Sequence, residues 1–109
     1  IENYLSNFEN KKVAIWGASH QALAILSLLN LAGRIEYVID SAAFKQGKFT
    51  PATHIPIVAP DKLNSDPVDA IIVMAAGYSD EVVKIIKRDF DQNIKISVLR
   101  DFGLDIIQS

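Results

Sequence analysis

The stretch from Val13 to Leu29, VAIWGASHQALAILSLL, constrains this chain more than any other. A short apolar run ends at Gly17, and a second apolar segment begins after only four residues, Ala18, Ser19, His20 and Gln21. The run Lys12–Trp16 does not alternate, which is the pattern of a strand buried on both faces. From Ser19 onward, Ala22, Leu23, Ile25, Leu26, Leu28 and Leu29 recur at helical spacing, and the helix is expected to stop near Gly33. A strand, a tight glycine turn and a helix in this order form the corner with which nucleotide-binding α/β folds begin.

The rest of the chain repeats the alternation. Ile35–Ile39 reads as a second strand, closed by Asp40 and Ser41, and Asp69–Ala75 as a third continuous apolar run. Ser79–Phe90 predicts an amphipathic helix with Val82, Val83, Ile85 and Ile86 facing inward. Ser79 is its expected N-cap, and Asp80 and Glu81 fall in the favourable first turn. Ile94–Leu99 supplies a last strand. The pattern predicts a small Rossmann-like α/β domain of three layers, a mainly parallel sheet with helices on both faces. Right-handed crossovers place the second strand and the Asp69–Ala75 strand on opposite sides of the first. The strand order therefore reverses there, and a crevice is expected at the carboxyl ends, lined by Gly17–Gln21, Asp40, Ser41 and Ala76–Ser79. Trp16 and Met74 fall inside buried runs and read as core.

Ser41–Pro60, SAAFKQGKFTPATHIPIVAP, breaks the alternation with three prolines and no helical period. So long a connection without a helix is uncommon in a compact domain and often functional. Its prolines confine any strand over Ile55–Val58 to a sheet edge.

Composition excludes several classes. Half of the 109 residues are hydrophobic and 22% are charged, the profile of a soluble globular domain. A net charge of −2 offers no basic footprint for nucleic acid. No apolar run is long enough to span a membrane, and the polar, acidic start IENYLSNFENKK is not a signal peptide. Cysteine is absent, which removes disulfides and thiolate metal sites and fits a cytoplasmic protein. The chain opens at Ile1 without methionine, and Ile1–Phe8 reads as the end of a helix arriving from elsewhere. Residues 1–109 are thus expected to be one domain cut from a longer protein.

The corner matches a dinucleotide fingerprint only in part. Gly17 fills the first glycine position, but Ser19 stands at the second, where backbone must approach a pyrophosphate, and Ala22 at the third. Asp40 lies near where an acidic residue would hold a ribose hydroxyl. Bound NAD, another anion, or a corner that merely closes the fold all remain open. His20, at the start of the helix, has no second histidine or carboxylate pair at ligand spacing and reads as a polar lining or capping residue, with no metal expected. Lys45, Gln46, Gly47 and Lys48 form either a solvated turn or, leaving the crevice beside Asp40, a diphosphate contact. Gly77 and Tyr78 are either turn chemistry, with Gly77 supplying a permissive backbone, or a stacking and sugar-bonding pair. No nucleophile–histidine–acid set is visible, so no catalytic residue is assigned.

WGASHQALAILSLL, YVIDSAAFKQGKFTPATHIPIVAP and DAIIVMAAGYSDEVVKII together resemble the C-terminal domain of the S-adenosylmethionine-dependent sugar C-methyltransferases, from about Lys12 to Leu99. The irregular loop, with its D-S-x-x-x-K-Q-G-K-x-x-P-x-T-H-I-P-I pattern, is the most specific part. Several family members carry a glycine-rich corner where this chain has Ala18, Ser19 and His20. The resemblance implies a division of labour. A zinc-binding domain and a central domain, which holds the methyl donor and the catalytic residues, precede this one, and this domain binds the nucleotide-linked deoxysugar. It implies ligand contacts at Gly17, Ala18, Ser19, His20, Gln21, Asp40, Lys45, Gln46, Gly47, Lys48, Thr53, His54, Gly77 and Tyr78. It also implies that the parent protein is a methyltransferase while this piece alone is inactive and carries no cofactor. Its partners are the nucleotide-sugar and the upstream catalytic domain, not nucleic acid or membrane.

Two other classes compete. The small Rossmann-like domain preceding the β-helix of sugar-nucleotide acetyltransferases also has a glycine corner, an aspartate after the second strand and a segment like HIPIVAP. A free-standing nucleotide-binding regulatory domain is the third, weakened by the missing second glycine.

Overall fold

A computed structural model of the chain describes residues 2–28, 33–51, 53–100 and 103–108. The elements are α1 (Glu2–Ser6), β1 (Val13–Trp16), α2 (His20–Leu28), β2 (Val38–Ile39), β3 (Ile57–Val58), α3 (Lys62–Ser65), β4 (Ala70–Val73), α4 (Ser79–Asp89), β5 (Lys95–Arg100) and β6 (Gly103–Gln108). One six-stranded sheet runs in the order β3-β2-β1-β4-β5-β6. The strands are parallel except β6, which pairs antiparallel with β5. β1 lies between β2 and β4, so the order reverses at β1 as expected.

Period-two alternation divides the core into two layers. Val13 and Ile15 of β1 pack with Leu5 of α1 and with Ala22 and Leu26 of α2. Ala14 and Trp16 point the other way, onto Leu63 of α3 and Val82, Val83 and Ile86 of α4. β1 and β4 are buried at every position, which is why they read as unbroken apolar runs. α4 carries Asp80 and Glu81 in its first turn and Lys87 and Arg88 in its last, complementing the helix dipole at both ends.

Several expectations are corrected. β2 is confined to Val38–Ile39, although Tyr37 and Glu36 still exchange backbone bonds with Ile15 and Val13. Ser79 is not the N-cap of α4 but its first residue; its buried hydroxyl accepts the Ala75 amide (3.2 Å), fastening the helix to the end of β4. Leu28 is 83% exposed despite its helical spacing, while Leu26 takes the inward position. α3 and β6 are absent from the sequence reading, while β3 is the proline-flanked edge strand it predicted. Ile1, Leu29 and the residues just before the expected helix stop at Gly33 lie outside the described residues. Among the described residues, no helix is long and apolar enough to cross a membrane.

Candidate functional site at the carboxyl ends of the strands

β1 delivers the chain to Gly17, whose amide donates to the carbonyl of Ile39 at the end of β2 (2.8 Å). Gly17 sits at φ +127°, and a Cβ there would lie 2.8 Å from the Met74 carbonyl carbon and closer still to its oxygen. Glycine is required here by the close approach of two backbones, whatever the corner binds.

The next residues are knitted to the loop after β2. The Ala18 amide donates to Asp40 Oδ2 (2.9 Å), and the Ala42 amide to Asp40 Oδ1 (2.8 Å). Lys45 Nζ donates to the Ala18 carbonyl (3.2 Å) and stands 3.8 Å from Asp40 Oδ2. Gln46 Nε2 donates to the Asp40 carbonyl (2.8 Å). Asp40, Lys45 and Gln46 therefore brace the corner as a unit. Ser19, immediately before α2, accepts the Ala22 amide on its hydroxyl (3.2 Å), which is N-cap geometry. This explains a serine at the position where a dinucleotide fold has glycine. His20 begins α2, but its side chain lies outside the described residues.

Beside the corner, a cleft of about 660 Å³ opens between α2 and the carboxyl ends of β4 and β5. Ala22, Ile25, Met74 and Leu99 line it with apolar surface, and Ser19, Gln21, Gly77 and Arg100 supply polar groups. Arg100 is the residue sequence reasoning missed. Its only cue is position, as the first charged residue at the carboxyl end of the last parallel strand. Its guanidinium donates to Asp80 Oδ1 (2.8 Å) and lies 3.4 Å from Asp105 Oδ2. The Asp80 hydrogen bond, helped by Asp105, holds its pKa above the ordinary arginine value. The turn Ala76–Tyr78 forms the far wall. Its left-handed residue is Ala76 (φ +49°), not Gly77 as the turn reading supposed. Tyr78 projects into solvent.

The remaining residues named from sequence are elsewhere. Gly47 and Lys48 exchange backbone bonds with Ile57 and run antiparallel to it along the outer edge of β3. Gln46 and Gly47 line a separate surface hollow with Asp61 and Lys62. Thr53 and His54 form a tight turn closed by the Thr50 and Thr53 hydroxyls and by the His54 amide on the Thr50 carbonyl (2.9 Å). That turn lies before the start of β3, at the amino end of the sheet and away from the corner.

Both carboxylate oxygens of Asp40 already accept backbone amides. No group of three histidine, aspartate, glutamate or cysteine side chains comes together among the described residues.

Residues 4–98 match the family model described as the C-methyltransferase C-terminal domain. The chain belongs to that family. Among curated proteins, this C-methyltransferase C-terminal domain is similar to the C-methyltransferase NovU of Streptomyces niveus, 30% identical over 76 residues. The match covers 69% of this chain and 18% of that protein, so the chain spans a minor part of its relative's length. Among solved structures, UDP-D-quinovosamine 4-dehydrogenase from Vibrio fischeri superposes with a TM-score of 0.65 at 14% identity, covering 90% of this chain and 93% of that one. At that identity the likeness establishes the Rossmann-type fold of the domain.

Proposed function

We propose that this domain binds a nucleotide-linked sugar across the corner and the adjoining cleft, and that the methyl donor, the catalytic residues and zinc belong to other domains of a longer methyltransferase. The cleft carries the reading. It lies where ligands bind in open α/β sheets, at the point where strand order reverses. Its apolar floor and its neutral hydrogen-bonding groups, Ser19 and Gln21, suit a sugar nucleotide better than acid–base chemistry. Among the described residues, its lining contains no carboxylate, thiol or imidazole. Family membership favours this reading over the acetyltransferase and free-standing alternatives.

Titration of the chain with a thymidine diphosphate sugar, followed by amide NMR, tests it. Shifts are expected at Ser19, Gln21, Gly77 and Arg100. Absence of shifts there at several millimolar ligand would remove the cleft as the site. S-adenosylmethionine should cause none, and measurable methyl transfer by this chain alone would overturn the division of labour.

A further inference from the structure

Phe44 presents its ring to water at the rim of the corner, 71% exposed. Its support is braced. Residues 43–45 form a 3₁₀ turn, held to Asp40 through the Ala42 amide and the Gln46 side chain. The Lys45 ammonium that reaches the Ala18 carbonyl also lies 5.7 Å from the centre of the Phe44 ring. Phenylalanine has no polar atom to gain from water, so the exposed face of this ring, on its fixed support, can take a flat apolar partner without losing a hydrogen bond. Because the turn is already ordered, covering the ring costs little additional entropy.

The surroundings identify the cover. Lys45, whose ammonium lies beside the ring, complements an anion attached to whatever stacks there. A nucleobase carrying a diphosphate joins a flat π face to such an anion. At the other end of the crevice, Arg100 is shared between two carboxylates, Asp80 and Asp105, whereas Lys45 faces one, Asp40, at 3.8 Å. Tyr78, the other exposed ring near the crevice, keeps a hydroxyl that water satisfies. Resting on the nucleotide-sugar reading above, we infer that Phe44 is the stacking platform for the nucleobase. The diphosphate then crosses the corner beside Lys45, and the sugar extends to the cleft at Gly77 and Arg100.

NMR titration of the full chain with uridine diphosphate and with thymidine diphosphate tests this. For the unsubstituted chain, the base protons should move upfield on binding, from the ring current of Phe44. Phe44→Ala should weaken both ligands about tenfold and abolish the upfield shift, the size of one lost base–aromatic stack. Phe44→Trp should restore both readouts. Because the ring is exposed, these variants should fold as the parent does, which their amide spectra report. If the parent chain binds the diphosphates and Phe44→Ala binds them equally well, the platform assignment is wrong while the proposed function stands. A loss confined to Tyr78→Ala would also overturn it, by placing the base at the opposite end. If the parent chain binds neither diphosphate, the function and the platform fall together.

Discussion

The Ala18 amide and the Asp40 carboxylate meet at 2.9 Å, joining the corner after β1 to the loop after β2. With the second Asp40 oxygen on the Ala42 amide and Lys45 bridging back to the Ala18 carbonyl, one carboxylate organises the whole left side of the crevice. An aspartate at the end of the second strand is thus structural before it is anything else. Its removal should be felt in stability as well as in binding.

Asp40→Ala leaves two part-buried amides without acceptors and Lys45 without its counter-charge. Loss of about 2–3 kcal/mol is expected, at the lower end for two unsatisfied groups because water reaches them in part. Asp40→Asn, which keeps one acceptor, should fall between. Urea unfolding checks both; an Asp40→Ala midpoint equal to the parent's would show that the bridge contributes nothing.

Gly17→Ala forces a side chain onto the Met74 carbonyl at a backbone angle of φ +127°. The loss should exceed about 3 kcal/mol, or the chain should fail to fold. At Gly77 an added Cβ meets nothing within 4 Å and φ is not in the left-handed region. Gly77→Ala should therefore change stability by less than about 1 kcal/mol. Thermal melts of the pair separate a glycine needed for packing from one that is not.

Leu26 and Leu28 have the same chemistry on one helix. Leu26→Ala removes a fully buried side chain and should cost about 2–5 kcal/mol. Leu28→Ser alters a side chain that is mostly in water and should stay within about 0.5 kcal/mol. Equal effects would mean that α2 is rotated from its described orientation.

Lys12 Nζ donates to Asp66 Oδ1 at 2.7 Å on the surface. That hydrogen bond holds the Asp66 carboxyl below its ordinary 3.8 and raises Lys12 above its ordinary 10.5. A depressed carboxyl stabilises the fold above its unfolded value and loses that contribution as pH falls through the folded one. A raised ammonium contributes fully below 10.5 and loses it as pH rises further. Lys12→Met should accordingly unfold at lower urea than the parent at pH 7, by a small margin that high salt reduces, and the gap should close as acid protonates Asp66 in the folded chain. A gap that persists in acid would assign the difference to packing of the lysine stem.

Much of the fold was legible because β1 and β4 lie in the middle of the sheet, where burial on both faces leaves an unbroken apolar run. α4 was legible because one side of it faces that sheet and the other faces water. β6 and α3 were not. An antiparallel edge strand with no fully buried position among residues 103–107, and a four-residue helix, bury too little surface to write a period into the sequence. The candidate site divides in the same way. Gly17, Ser19, Gln21 and Gly77 were found because they follow directly on strands whose ends could be located. Arg100 was missed because its partners, Asp80 and Asp105, come from α4 and β6, one of them an element that sequence had not revealed.

The loop from Ser41 to Pro60 shows where the limit lies. Its residue types named it as special, and its prolines placed β3 at an edge. Whether its polar residues gather at the corner was decided by hydrogen bonds between distant positions. Asp40 and Gln46 hold residues 42–46 beside Ala18, whereas the pairing of Gly47 and Lys48 with Ile57 turns the chain downward and carries Thr53 and His54 to the opposite end of the sheet. Hydrophobic period is a local property and survives in the order of residues. Which loop atoms face one another depends on strand register across the sheet, and that exists only once the chain has folded.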